Sequence, residues 1–199
     1  MNEPALIRDA KRGDLDAFNR IVLEYQDMLY NTAYRIMGDP ALAADATQEA
    51  FISAFRKIKS YRGGSFKAWL LRIVTNACYD EFRRQKRRPT TDLNPITDEG
   101  EEIESPGWLA DPAASPEEQL ETAELDQAIQ DCIENLPLNF RAVVVLTDIQ
   151  GLNYKDAAAA LKKPLGTIKS RLARARLRLQ ECLQQVRELL PAAFRLEEE

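Results

Sequence analysis

The sequence predicts an all-α protein built as two small helical domains joined by a flexible acidic linker. Three observations predict it. Apolar residues recur at three- and four-residue spacing on both sides of the middle of the chain, and no segment alternates as a strand would. Pro89, Pro95, Gly100, Pro106, Gly107 and Pro112 interrupt the stretch between, which carries no sustained period. Charge follows the same division: residues 1–88 hold 16 Lys and Arg against 11 Asp and Glu, residues 89–126 hold 0 against 12, and residues 127–199 hold 11 against 9. The net charge of -5 therefore hides two mildly basic blocks around an acidic one.

Each element has a local signal. A short helix is expected near residues 4–12, then a long one from Asp14 to Met37, stopped by Gly38-Asp39-Pro40. Pro40 opens a third helix that runs to about Lys59, a loop covers Ser60–Gly64, and Ser65 caps a fourth that extends to Arg88. The linker begins where the basic run Arg83-Arg84-Gln85-Lys86-Arg87-Arg88 meets Pro89, and ends at the capping box Ser115-Pro116-Glu117-Glu118. The fifth helix, from Pro116 to Asn135, repeats Leu125, Ile129, Cys132, Ile133 and Leu136 at helical spacing. A short apolar helix is expected from Leu138 to Gln150, ended by Gly151, and another from the Asn153 cap to Leu161. Past Lys162-Lys163-Pro164-Leu165-Gly166, the last helix runs from Thr167 to about Leu190, so the second block has the outline of a helix-turn-helix.

Composition excludes several function classes. With 45% hydrophobic and 30% charged residues the chain has material for a core. It contains no histidine, which removes the commonest general base and metal ligand, and it has no phosphate-binding glycine loop. No catalysis, metal or cofactor is expected. Cys78, Cys132 and Cys182 are odd in number and far apart, which argues against a disulfide framework and suits a reducing cytosol. No signal-like or membrane-spanning stretch is evident, so a soluble cytoplasmic protein without membrane insertion is expected.

Three surfaces could carry function. On the last helix Ile168, Leu172, Ala175 and Leu179 form one stripe. Lys169, Ser170, Ala173 and Arg174 lie opposite, with Arg171, Arg176 and Arg178 on the shoulders. A major groove would suit that arrangement, because an arginine fork can take O6 and N7 of guanine together while flanking cations neutralise phosphates. The plainer reading is a solvated basic face. On the fourth helix, Phe66, Trp69, Leu70, Ile73 and Ala77 form the core stripe, while Arg72, Thr75, Asn76, Tyr79 and Arg83 face outward. An aromatic among cations and an amide suits unstacked bases, though the same residues could be ordinary surface. On the third helix Asp45, Gln48, Glu49 and Ile52 project together, with Phe51, Phe55 and Ile58 assigned to the core. The like charges of Asp45 and Glu49 at i,i+4 would be relieved by a basic partner.

Taken together these residues resemble the extracytoplasmic-function sigma factors of the sigma-70 class. Asp45-Ala-Thr-Gln48-Glu49-Ala-Phe51 and Phe66-Lys-Ala-Trp69-Leu70-Leu-Arg72-Ile73-Val-Thr-Asn76 look like two helices of sigma region 2. Leu136-Pro137, Gly151-Leu152-Asn153-Tyr154 and the run Leu165 to Arg176 look like region 4. The resemblance implies a region 2 domain over 1–88, a linker over 89–115, a region 4 domain over 116–190 and a tail over 191–199. It implies that Asp45, Gln48, Glu49 and Ile52 dock on the polymerase beta-prime clamp. Tyr61, Arg62, Arg72, Asn76, Tyr79 and Arg83 would capture the melted minus-ten strand. Thr167, Lys169, Ser170, Arg171, Ala173, Arg174, Arg176 and Arg178 would contact the minus-35 duplex. Part of the second domain would seat on the beta flap, and an anti-sigma factor is an expected further partner, for which Leu71 and Phe82 offer exposed apolar contacts. The acidic linker should oppose phosphate binding by the free protein. A conventional regulator that binds its operator alone, or a helical interaction module, would use the same basic faces without needing polymerase.

Overall fold

The computed structural model describes residues 2–87 and 116–190, so the acidic linker, Ser115 of the capping box and the tail lie outside the described residues. These residues form eight α-helices and no strand: α1 Glu3–Lys11, α2 Leu15–Met37, α3 Pro40–Lys57, α4 Phe66–Arg87, α5 Pro116–Glu134, α6 Leu138–Val144, α7 Tyr154–Leu161 and α8 Leu165–Gln185.

The helices start where short polar side chains can satisfy free backbone N–H groups. Asp14 accepts from Ala17 N–H at 3.1 Å, Asp39 from Leu42 N–H at 2.8 Å, Ser65 from Ala68 N–H at 3.1 Å and Asn153 from Asp156 N–H at 2.9 Å. α2 ends at Gly38, whose φ of 77° closes the helix in the left-handed region open to glycine. The third helix tightens into a 3-10 turn over Ile58–Ser60, and α6 runs on as a π-type turn over Val145–Ile149. α8 begins at Leu165, ahead of the expected Thr167, because Pro164 supplies a preset entry to the first turn.

α7 ends on Lys162, whose φ of 52° is the one positive value at a non-glycine position among the described residues. A side chain with a Cβ is strained there. Lys162→Gly is expected to raise stability by about 0.5–1 kcal/mol, read as a higher urea midpoint at unchanged slope.

α1–α4 enclose a core of Ile21, Leu29, Ile36, Ile58, Phe66 and Leu70, all essentially solvent-free. The second block is built around Val143, Leu146, Ile168 and Leu172. Ala157 and Ala160 bring α7 close to its neighbours, both being buried. The two blocks do not stand apart: α2 packs against α5 and α6, α4 packs against α7, and the buried apolar side chains form one continuous cluster.

The seam between the blocks is polar around the C-terminal end of α2. Gln130 is fully buried, donates from Nε2 to the Tyr34 carbonyl at 3.3 Å and accepts at Oε1 from Arg35 at 3.1 Å. Arg35 also pairs with Asp126 at 3.5 Å. Arg141 donates to the Ile36 carbonyl at 2.6 Å and to the Leu136 carbonyl at 3.4 Å. The last carbonyls of α2 carry partial negative charge, so donors from α5 and α6 complement them. Gly38 permits the close approach: a Cβ there would come within 2.3 Å of the Glu134 carboxylate.

Several expectations are corrected. Cys132 and Cys182 form a disulfide between α5 and α8, contrary to the reading of isolated thiols, because folding brings positions 50 residues apart to a Cα separation of 5.7 Å. Cys78 is the free one and is buried. Leu71 and Thr75 are buried rather than outward, and Phe82 is half-buried. A groove marks the α3 side of α4, so the opposite stripe of Leu71, Thr75 and Cys78 is left to face α7. Phe55, expected in the core, is 40% exposed and meets Phe18 edge-on at 5.0 Å.

Candidate nucleic-acid interface

Asp45, Gln48, Glu49 and Ile52 are all exposed on α3 and line one wall of a groove of about 510 Å³ between α3 and α4. The buried line Ala43, Ala46, Ala50 and Ala54 explains the presentation: small side chains let α3 lie close to its neighbours, which turns the longer residues outward. Neither Asp45 nor Glu49 forms an ion pair among the described residues. The α3 wall thus offers two unpaired carboxylates beside an apolar patch at Ile52, with Lys57 further along the same lining.

Asn76 lines the same groove from α4, together with Asp80 and Arg84. It therefore lies beside the acidic wall as well as near the residues expected to meet single-stranded bases. Arg62 is exposed, Arg72 and Asn76 are half-buried, and Arg83 is exposed with its guanidinium 2.6 Å from Asp80. Tyr61 departs from expectation. It is 8% exposed, its ring lies 5.2 Å from Phe66 and 5.3 Å from Trp69, and its hydroxyl donates to the Gly64 carbonyl at 2.7 Å. Packing of the 58–65 turn onto α4 turns this ring inward, so Tyr61 holds the loop and is not a free stacking platform here. Lys11 donates to the Tyr61 carbonyl and so ties α1 to the same loop.

Tyr79 is half-buried. Burial raises its pKa, and the nearby Arg171 partly offsets the rise. This places a tyrosine of α4 beside an arginine of α8, so the second block covers part of the α4 surface.

On α8 the expected face is present. Ile168, Leu172 and Ala175 are buried, and Lys169, Ser170, Ala173 and Arg174 are exposed on the other side. Thr167 and Arg171 are half-buried. Arg176 and Arg178 have additional engagements that sequence spacing does not reveal. Arg176 grips Asp148 through two bonds of 2.9 and 2.7 Å, an attachment that raises the guanidinium pKa. Arg178 lies over the Phe140 ring at 5.2 Å. Both stay exposed while bracing α8 against α6 and the 145–149 turn. Nothing in the sequence signals Asp148 or Phe140 as these partners, since α7 lies between them and α8 and their offsets follow no helical spacing.

Among the described residues no group of His, Cys, Asp and Glu could hold a metal ion. The site is a set of hydrogen-bonding and charged surfaces.

Comparison with known proteins agrees with this division. The family profile described as Sigma-70 region 2 matches residues 21–88, and that described as Sigma-70, region 4 matches residues 126–179. The chain is 37% identical over 180 residues to the ECF RNA polymerase sigma-E factor of Escherichia coli, covering 88% of this chain and 91% of that one. It is 34% identical over 180 residues to the RNA polymerase sigma-H factor of Pseudomonas aeruginosa, covering 90% and 92%. Among solved structures it resembles the sigma factor RpoE of Bartonella quintana, crystallised with the anti-sigma factor NepR. The TM-score is 0.64 at 28% identity, covering 83% of this chain and 96% of that one.

Proposed function

Because the chain belongs to the extracytoplasmic-function family of RNA polymerase sigma factors, we propose that it joins core polymerase, directs it to specific promoters and assists their melting. The observation that carries the reading is the pairing of two unlike surfaces in family order: an unpaired acidic wall on α3 and an exposed basic face on α8. Asp45, Gln48, Glu49 and Ile52 dock on the basic beta-prime clamp. Arg62, Arg72, Asn76, Tyr79 and Arg83 handle the minus-ten strand, with Tyr61 shaping the loop. Lys169, Ser170, Ala173 and Arg174 read the minus-35 duplex, while Thr167, Arg171, Arg176 and Arg178 flank it. The second domain also seats on the beta flap, and the chain catalyses no reaction itself. Domain limits at 1–88 and 116–190 suit this division, with the acidic linker between.

The setting is the cytoplasm, where polymerase and promoters are. In support, no helix among the described residues is long and apolar enough to cross a membrane. An anti-sigma factor is a further partner, as NepR is for the Bartonella protein. With Leu71 buried, its contact would have to use other surfaces.

The arrangement favours weak promoter binding by the free protein, since α7 and α8 cover part of α4. Purified chain with core enzyme should give transcripts from discrete starts, and the chain alone should shift promoter duplex only faintly. Arg174→Ala should lower promoter-specific transcription by about tenfold or more, equivalent to about 1–3 kcal/mol of discrimination, while core binding is unchanged. Strong operator-like footprinting without polymerase would favour a conventional regulator instead.

A further inference from the structure

α5 presents two faces to two different neighbours. Asp126, Gln130 and Glu134 are spaced at i,i+4 and lie along the end of α2, where Gln130 and Asp126 hold Tyr34 and Arg35. Cys132 lies roughly 200° around the helix from Gln130 at 100° per residue. There its sulfur is bonded to Cys182 near the end of α8. α5 is therefore a bridge: its polar face clasps the first domain, and its opposite face is fastened covalently to the helix that carries the basic reading surface.

We propose that Cys132 and Cys182 form a reversible thiol–disulfide site whose oxidation holds α5 on α8 and so keeps the two domains closed against each other. The cytoplasm, the setting proposed above, keeps ordinary thiols reduced, so a disulfide there acts as a redox sensor rather than as permanent scaffolding. In the dithiol form α5 keeps only packing against α8, besides the Arg141 bonds to the Glu134 and Leu136 carbonyls at its end. It can then swing from α8 and withdraw Gln130 and Asp126 from α2, which removes one tie of the seam that holds α7 and α8 over the α4 surface beside Tyr79.

The chemistry balances with a peroxide as oxidant. Cys182 is half-buried, whereas Cys132 is 2% exposed, so Cys182 is the first to react. Its thiolate attacks one peroxide oxygen, the O–O bond breaks, and a sulfenic acid forms as hydroxide leaves and takes up the thiol proton as water. The Cys132 sulfur then attacks the sulfenic sulfur and displaces a second water, giving the disulfide. A dithiol reductant reverses the change by exchange, becoming a disulfide itself. Cys78 takes no part: it is fully buried on α4, and burial pushes its thiol pKa up to about 12.

The test uses the full chain, either reduced with dithiothreitol or treated with hydrogen peroxide, each freed of reagent. Thiol counting under denaturing conditions should find three thiols before peroxide and one after. X-ray scattering should give a smaller radius of gyration for the oxidised form. With core polymerase, the reduced form should give at least five times the transcripts of the oxidised form. The Cys132→Ser, Cys182→Ser variant should match the reduced protein with or without peroxide. Cys182→Ser alone, at the half-buried position, should do the same and serves if the double variant fails to fold. Three thiols after peroxide, equal radii and transcript yields in both forms, or a peroxide response that survives in the serine variants would overturn the proposal. Transcripts from neither form would count against the sigma-factor reading, and the thiol and scattering arms would then decide the switch by themselves.

Discussion

Asp45→Lys combined with Glu49→Lys should abolish stable association with core polymerase, raising Kd by a factor of 100 or more. The expectation follows from two features of the acidic wall. Both carboxylates are exposed and outside any ion pair among the described residues, so reversing them removes no internal contact and the melting temperature should hardly move. In the bound state each would meet basic side chains in a surface emptied of water. Truncating one member of such a pair costs about 2–5 kcal/mol, and reversal adds repulsion. Like charges at i,i+4 also mean that the wild-type helix carries a small repulsive cost, which the change to lysine leaves in place with opposite sign. Size-exclusion or fluorescence binding with core enzyme measures the effect. Binding within threefold of wild type would show that the clamp contacts lie elsewhere.

Phe66→Ala should be the most damaging single truncation in the first domain, at about 3–5 kcal/mol. Phe66 is 1% exposed, and its ring meets Tyr25 at 5.7 Å, Tyr61 at 5.2 Å and Trp69 at 5.2 Å. Removing it takes away the central ring of the cluster and leaves a cavity bounded by large rigid side chains that cannot collapse into it. For a domain whose total stability is on the order of 5–15 kcal/mol, that loss is a large share. The Tyr61 ring also loses the surface that turns it inward, so the 61–65 loop should become protease-sensitive at temperatures where wild type resists cleavage. Denaturant melts and limited proteolysis read the two effects. A loss below about 1 kcal/mol would mean that the aromatic cluster repacks.

Local chemistry made most of the fold legible. Ser65 and Asn153 act as the caps their side chains predict, and Gly38 ends α2 in the left-handed conformation. The stripe Ile168, Leu172, Ala175 and the opposite row of Lys169, Ser170, Ala173 and Arg174 follow from helical geometry once α8 exists. Asp45, Gln48 and Glu49 are likewise exposed as their spacing requires.

The misread positions share one cause. Leu71 and Thr75 look outward in a projection of α4 alone, and become buried because α7 arrives on that side from the other domain. Tyr61 looks like a loop aromatic available to bases, until the turn after α3 folds its ring onto Phe66 and Trp69. Arg176 looks like a phosphate clamp, but it also finds Asp148, 28 residues earlier.

By itself the sequence determined where most helices begin and end, which side of each is apolar, and which acidic and basic rows are presented, since these depend on neighbours within a turn or two. Tertiary structure alone decided that Cys132 meets Cys182, that Gln130 and Arg141 grip the end of α2, and that α7 covers α4. Those contacts join segments about 50 to 105 residues apart, and no periodicity along a chain encodes which distant face will come to lie against it.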